Sequence, residues 1–181
     1  VPDSGTWSVT DGRYQVAPEV MGGDAVSVFY VDAMRPTYYE MQATINTWKP
    51  LAGYKANSYM IFDYQSPTDF KFVGVNISTN KMQMGHRDAS GWIVDEQANV
   101  RVKSETDYNL LLAINGVTAT LVVDNATVFS HAYEPRVIDG YSHGLNTGMV
   151  GIGANNSSAS IDNVTVQILP PVITLDETED F

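Results

Sequence analysis

The stretch YNLLLAINGVTATLVVDNATVF, from Tyr108 to Phe129, decides the fold class, because it sets three β-strand patterns around two tight-turn signals, Asn115-Gly116 and Asp124-Asn125. Asn-Gly between apolar runs favours a two-residue turn whose central residues need positive φ, the geometry that lets twisted strands double back. The same alternation continues outward in both directions. Tyr39, Met41, Ala43 and Ile45 share one face while Glu40, Gln42, Thr44 and Asn46 share the other, the period of two of a half-buried strand. Similar patterns predict strands at 6–9, 13–16, 26–31, 58–63, 70–77, 81–86, 100–103, 108–115, 117–123, 127–133, 148–153 and 160–169. No segment carries a helical stripe over three turns. So many short strands in one open sheet would leave an apolar face uncovered, so the expectation is an all-β fold of two packed antiparallel sheets. Longer connections are expected at 48–57, 87–97 and 134–147, where Gly, Pro and polar residues replace the alternation; binding groups sit on such loops.

At 181 residues and 44% hydrophobic, the chain can bury one sizeable core. The division expected is a sandwich over 1–169 followed by 170–181, where Pro170-Pro171 ends the last strand and Asp176 to Asp180 reads as an acidic linker. A formal charge of −11, from 10 basic and 21 acidic residues, repels a phosphate backbone or an anionic membrane, which argues against nucleic acid as a partner. The 10 Tyr, 6 Phe and 3 Trp are too many aromatics for a disordered solvating chain. With no cysteine, neither a disulfide framework nor a thiolate metal site can form. No apolar run approaches the roughly 20 residues of a spanning helix, so no membrane insertion is expected, and any targeting signal is removed or lies upstream. Asn-X-Ser/Thr matches at Asn76, Asn125, Asn155, Asn156 and Asn163 matter only in a eukaryotic secretory setting.

Three segments carry a resemblance: GTWSVTDGRYQV (Gly5 to Val16), YMIFDYQSPTDFKFVGVNISTNKMQMG (Tyr59 to Gly85) and GMVGIGANNSSASIDNVTVQI (Gly148 to Ile168). Together they resemble the laminin-G-like, concanavalin A-like jelly-roll superfamily. Within it the chain is similar to modules of large bacterial surface and adhesin-type proteins, and to sugar-active domains that share the Trp-x-Val-x-Asp-Gly opening and the Asp-Asn-Val-x-Val ending. Trp7, Gly12, Gly151 and Asp162-Asn163-Val164 match these motifs and are expected to serve packing and turns. The resemblance implies two curved antiparallel sheets, a concave face able to take carbohydrate or peptide, and often a calcium ion. It does not imply catalysis. Glucanases of this fold hold two carboxylates about 5 Å apart across the bond cleaved, whereas Glu40 stands alone and Asp95-Glu96, being adjacent, point to opposite faces.

His86-Arg87 precedes Gly91-Trp92, so an imidazole, a cation and an indole could gather at one strand end, the mixture that grips a sugar or a carboxylate-bearing ligand. The structural alternative has Trp92 capping the sandwich edge and Arg87 paired with an acidic loop. Tyr54 and Tyr64, on or beside loops, are further candidates for an aromatic platform, Tyr64 first because Asp63-Tyr64-Gln65 directly follows an apolar strand. His131 and His143 give no metal spacing. Continuing the inward set Val164, Val166 and Ile168 back by two turns Asp162 toward the core, where an unpaired carboxylate costs several kcal/mol. Either backbone N–H groups satisfy it or a structural Ca²⁺ does, a cation that takes 6–8 oxygen ligands. The Gly-rich pieces Met21 to Asp24 and Gly151 to Gly153 lack the context of a phosphate cradle and read as turns and close sheet contacts.

The leading expectation is a non-catalytic extracellular or bacterial cell-surface module that binds carbohydrate, or another cell-surface ligand, through its loop side or concave face, beside neighbouring modules of the same chain. A structural spacer in a tandem-repeat adhesin is the alternative, and a glycoside-active enzyme the third. The acidic, Asp-Phe-ended segment after the last strand further suggests a module cut from an array, with an ordered Val172 to Leu175 supplying an edge strand.

Overall fold

The structure, a computed structural model, describes residues 1–31 and 35–168. Among these the chain forms, in order, β1 (Pro2–Ser4), β2 (Thr6–Thr10), β3 (Arg13–Ala17), β4 (Asp24–Phe29), β5 (Tyr38–Trp48), β6 (Asn57–Ser66), β7 (Asp69–Asn76), β8 (Lys81–Asp88), β9 (Gly91–Asn99), β10 (Tyr108–Asn115), β11 (Thr118–Val123), β12 (Ala126–Ala132), β13 (Arg136–Ile138), β14 (Tyr141–His143), β15 (Met149–Asn155) and β16 (Ser158–Gln167). The first sheet runs β1-β4-β15-β6-β7-β8-β9 and the second β12-β11-β10-β5-β16-β3-β2, antiparallel throughout, with β13-β14 as a separate small hairpin. This is the expected two-sheet sandwich. Among the described residues no helix is long and apolar enough to cross a membrane. The expected edge strand at Val172 to Leu175, like the whole of the acidic segment, lies outside the described residues; the edge beside β4 is taken by β1.

The central core is built as the alternation requires. Met60, Phe62, Val73, Val75, Met82 and Met84 of the first sheet meet Tyr39, Met41, Ile45, Leu110, Leu112 and Leu121 of the second, all buried. The intervening residues of the first sheet are apolar too. Tyr59, Ile61, Tyr64, Phe70 and Phe72, with Val26 and Val28, form a second buried cluster on the outer face, against which Trp92 and Met149 pack. A sheet apolar on both faces has to curl to cover itself. Glycine permits this: a Cβ on Gly85 would lie 1.9 Å from the Ile93 carbonyl and 2.7 Å from the Phe72 ring, and one on Gly151 would lie 2.3 Å from the Ser27 carbonyl. Trp7 stacks on Tyr14 with ring centroids 4.7 Å apart and donates Nε1–H to the Ser4 carbonyl at 2.8 Å, the packing role its motif implies.

Three sequence expectations fail locally. Residues 100–103 are not a strand: the Val102 N–H is taken by Asn80 Oδ1 at 2.9 Å and the Lys103 N–H by the Tyr108 hydroxyl at 2.7 Å, so side chains satisfy backbone that would otherwise need a ladder. The strand forms earlier, at β9, within the expected 87–97 connection. There the Asp88 carboxylate accepts from Ser90 N–H at 2.7 Å and Gly91 N–H at 3.2 Å, with Gly91 at φ 137°, and this local turn pairs Arg87 with Trp92 across a hairpin. An Asx turn of this kind is a stronger signal than the polarity that suggested a loop. Similarly, 134–147 contains β13-β14.

Replacing Gly85 by Ala is expected to lower unfolding free energy by about 1–3 kcal/mol, the usual cost of overpacking, read as a lower urea midpoint at unchanged m. An unaltered midpoint would show that the sheet does not need the close approach at Gly85.

Candidate functional site

Two β-bulges arrange the polar groups. In β8-β9, Met84 pairs with Glu96 and Gly85 with Val94, leaving Asp95 as the extra residue; a bulge re-aims such a side chain, and the Asp95 carboxylate reaches His86 Nδ1 at 2.8 Å. In β6 the register shifts between Phe62 and Ser66, with Asp63 at φ 46°. Asp63, 1% exposed, accepts from Lys71 Nζ at 2.6 Å, Arg136 at 3.1 Å, Gln65 Nε2 at 2.9 Å and the Thr147 hydroxyl at 3.3 Å. Arg136 also holds Asp69 through two bonds of 2.8 and 2.9 Å. Burial pushes the Asp63 carboxyl up, but Lys71 and then Arg136 outweigh it and leave the group below its ordinary value.

These contacts frame a groove of about 640 Å³ where the sandwich opens between β7-β8-β9 and the chain leaving β12, bordered by Lys71, His86, Asp88, Asp95, His131, Tyr133 and Glu134, with Phe70 and Arg87 beside them. The Tyr133 ring lies 5.2 Å from Lys71 Nζ and 4.6 Å from the His131 ring, in an edge-on arrangement with the latter. Its hydroxyl donates to the Gly85 carbonyl at 3.2 Å; burial first, and then Asp95, push the phenol well above its usual range, so it stays a neutral donor.

The candidate constellation divides. Successive strand residues face opposite ways, so His86 turns into the groove while Arg87 turns to the outer face of the first sheet. There Arg87 Nε donates to Asp24 at 3.2 Å and Trp92 Nε1–H donates to the same carboxylate at 2.7 Å, with Asn155 adding a third donor at 3.0 Å. Three strands separate β8 from β4; in a flat sheet those four spacings of about 4.8 Å would hold the two about 19 Å apart, more than an Arg and an Asp can span. The sheet therefore rolls until its flank meets β4. Trp92 lies over Phe72, Phe70 and Tyr59 with centroids 4.8, 5.2 and 5.5 Å away, so the concave face is filled by the protein's own rings. Arg87 is paired as the structural alternative expected, with Asp24.

Tyr64 is not a loop-borne platform. The bulge at Asp63 turns it into the outer cluster, 5% exposed and stacked on Phe70 at 5.6 Å. Tyr54 lies in the connection before β6, at the opposite end of that strand from Tyr64, and does not join the others. Asp162 does not face the core. The β16-β5 register shifts between Asp162 and Thr165, with Asn163 at φ 50°, and this extra residue breaks the parity that extrapolation from Val164 assumed. Asp162 accepts instead from the N–H of Asn163 at 2.8 Å. Its neighbours Thr44, Asn109 and Asn163 bond to one another, and among the described residues no three His, Cys, Asp or Glu side chains converge on a point. One carboxylate among mutually bonded amides does not fit Ca²⁺.

Asp24, Asp63, Lys71, Arg136 and Tyr133 escaped the sequence reading. Their partners lie up to 131 residues away, and only the αL-compatible Asp at positions of strong β pattern hints at a bulge.

No protein-family model and no curated protein matches the chain. Solved structures do. A carbohydrate-binding module, CBM66 of Bacillus subtilis, superposes with TM-score 0.75 at 14% identity over 92% of this chain and 94% of that one. The fold is a jelly-roll sandwich. The exoplasmic/lumenal domain of VIP36, in a Ca²⁺/Man3GlcNAc-bound form, is similar at TM-score 0.62 and 10% identity over 98% and 87% of the two chains. A carbohydrate esterase of the Shiga toxin-encoding bacteriophage phi24B is similar at 0.58 and 8% over 94% and 90%.

Asp63→Asn is expected to cost about 2–3 kcal/mol, at or below the low end for breaking a buried pair because Lys71 and Arg136 can rehydrate. Since the folded value is depressed, this contribution is complete above the unfolded carboxylate value of about 3.9 and is lost as pH falls through the folded value. Melting curves of the two proteins should therefore converge in acid. A gap that persists unchanged at the lowest accessible pH contradicts the ion-pair account.

Proposed function

We propose that the protein is a non-catalytic carbohydrate-binding module of a secreted or cell-surface protein, and that it takes a neutral glycan in the groove between His86, Asp95, His131 and Tyr133. The observation that carries this is the state of the charges there. Lys71 is committed to Asp63 and Arg87 to Asp24, while Asp69, Asp88, Asp95 and Glu134 border the opening, so an anionic ligand is disfavoured. Asp95 retains acceptor capacity beyond His86, and the two imidazoles each have ring nitrogens to offer, a set that suits hydroxyls, which donate and accept together. Three of these carboxylates are engaged as positioning groups, Asp69 by Arg136, Asp95 by His86 and Asp88 by its own turn. The likeness of fold to the carbohydrate-binding module CBM66 and to the Man3GlcNAc-bound VIP36 domain supports a sugar ligand, and surface exposure of the parent chain accompanies that role.

One observation favours a second reading. Trp92 closes the concave face over Tyr59, Phe70 and Phe72, as befits a spacer module in a tandem surface protein, whose work is length and stiffness.

Titration of a panel of neutral polysaccharides by calorimetry should give saturable binding to at least one. Asp95→Asn or His131→Ala should weaken it about tenfold, the loss of one hydrogen-bonded group at ~1.4 kcal/mol, with melting temperature retained. Binding untouched by both substitutions would move the site elsewhere, and no binding to any glycan would favour the spacer.

A further inference from the structure

The second sheet departs from regular pairing, among its described pairs, at two places: between Leu121 and Val122 in β11-β12 and between Asp162 and Thr165 in β16-β5. Both flank one depression on its outer face. Its larger part, about 320 Å³, is lined by Gln42, Asn109, Leu111, Val122, Asp124 and Asn125, and a smaller part of about 170 Å³ shares Gln42 and Asn109 and extends to Thr44 and Asn163. Bulges bend a strand and re-aim its side chains. Here they border the depression, with Asn163 and the Asp124-Asn125 turn, both of whose residues have positive φ, along its margin.

The lining has one chemistry. Partly exposed Leu111 and Val122 make an apolar floor, and amides surround it. Thr44 donates to Asn109 Oδ1 at 2.7 Å and accepts from Asn163 Nδ2 at 3.2 Å, which fixes both amides and leaves the Asn109 Nδ2 donors without a side-chain hydrogen bond among the described residues. The Gln42 amide makes no side-chain hydrogen bond among the described residues. An amide presents a donor and an acceptor on one plane, the complement of vicinal hydroxyls, and the apolar floor suits the C–H face of a pyranose. Asp124 is the charged group of the lining and no cation accompanies it, so anions are excluded. The volume lies at the lower end for small-molecule sites.

We infer that this depression is a second binding site, on the sheet opposite the groove at His86, for a single neutral sugar residue. It would make the module bivalent, able to hold two points of a polysaccharide or to bridge two chains, with the gain in avidity that linked sites give. The inference stands on the amide lining and the two bulges, independently of the reading of the first groove.

The test is a backbone-amide NMR titration of the intact chain with glucose, galactose, mannose and xylose, repeated on a Gln42→Ala/Asn109→Ala double variant whose melting temperature is first shown to match. Saturable shifts at Gln42, Asn109, Leu111, Val122, Asn125 and Asn163 with one of these sugars, abolished in the double variant, establish the site; shifts around His86 and Asp95 should persist in that variant. Shifts confined to the His86 groove overturn the second site and leave the first standing. Shifts at Gln42 that survive the double substitution overturn the assignment of the ligand-contacting amides, and no shift at these residues with any of the four sugars overturns the second site, the first being decided by the polysaccharide titration.

Discussion

Everything in the first sheet follows from its being apolar on both faces. Tyr59, Ile61, Phe70 and Phe72 point away from the interior that Met60, Phe62, Val73 and Met84 fill, and among the described residues no layer of other elements lies over them beyond Trp92 and Met149. The hydrophobic effect acts without direction, so the cheapest cover is the sheet's own flank. Gly85 and Gly151 allow the close backbone approaches, and the Asp24 carboxylate ends the curl by accepting from Trp92, Arg87 and Asn155 together. A single partly buried acceptor with three donors is favourable where an isolated one would be costly. The latch thus links strands that are not neighbours.

Filling the concave face displaces binding chemistry to the rim. Once Arg87 and Trp92 are committed to Asp24, the polar groups left near them face the gap where the two sheets part. The buried Asp63 shapes that gap: by holding Lys71 on β7 and Arg136 on β13 it fixes the small hairpin against the sandwich, and Gly148 lets the following chain pass close to the bulge, where a Cβ would lie 2.4 Å from the Asp63 carbonyl carbon. The groove is therefore a consequence of two internal charge centres, each one carboxylate with several donors.

Strand identity was legible because period-two alternation is local, and the resemblance of Gly5 to Val16 and Gly148 to Ile168 to jelly-roll modules pointed to the architecture that superposition on CBM66 also shows. What misled was parity. A bulge inserts one residue and reverses every assignment beyond it, which is why Asp162 was expected inside and lies on the outer face; Tyr64, expected beside a loop, is carried by the bulge at Asp63 into the outer buried cluster. The pairing of Arg87 with Trp92 escaped because the polarity of 87–97 suggested a loop, and the partner that decides their role, Asp24, sits 63 and 68 residues away in a segment that reads only as a turn. Sequence separation of that size leaves no periodic trace. Adjacency to Glu96 ruled Asp95 out as half of a catalytic pair, and its place beside His86 comes from the bulge, which the alternation does not show.

The central claim is that the concave face is closed by the protein itself and that ligands are met beside it. Hydrogen exchange of the Trp92 indole N–H, followed by NMR in the presence and absence of a bound glycan, tests this most directly. The account predicts an indole proton strongly protected in the free protein and little changed in resonance when the glycan binds. A rapidly exchanging proton, or one whose resonance moves with glycan concentration and gains protection, would show that the face opens to solvent and is itself the binding surface.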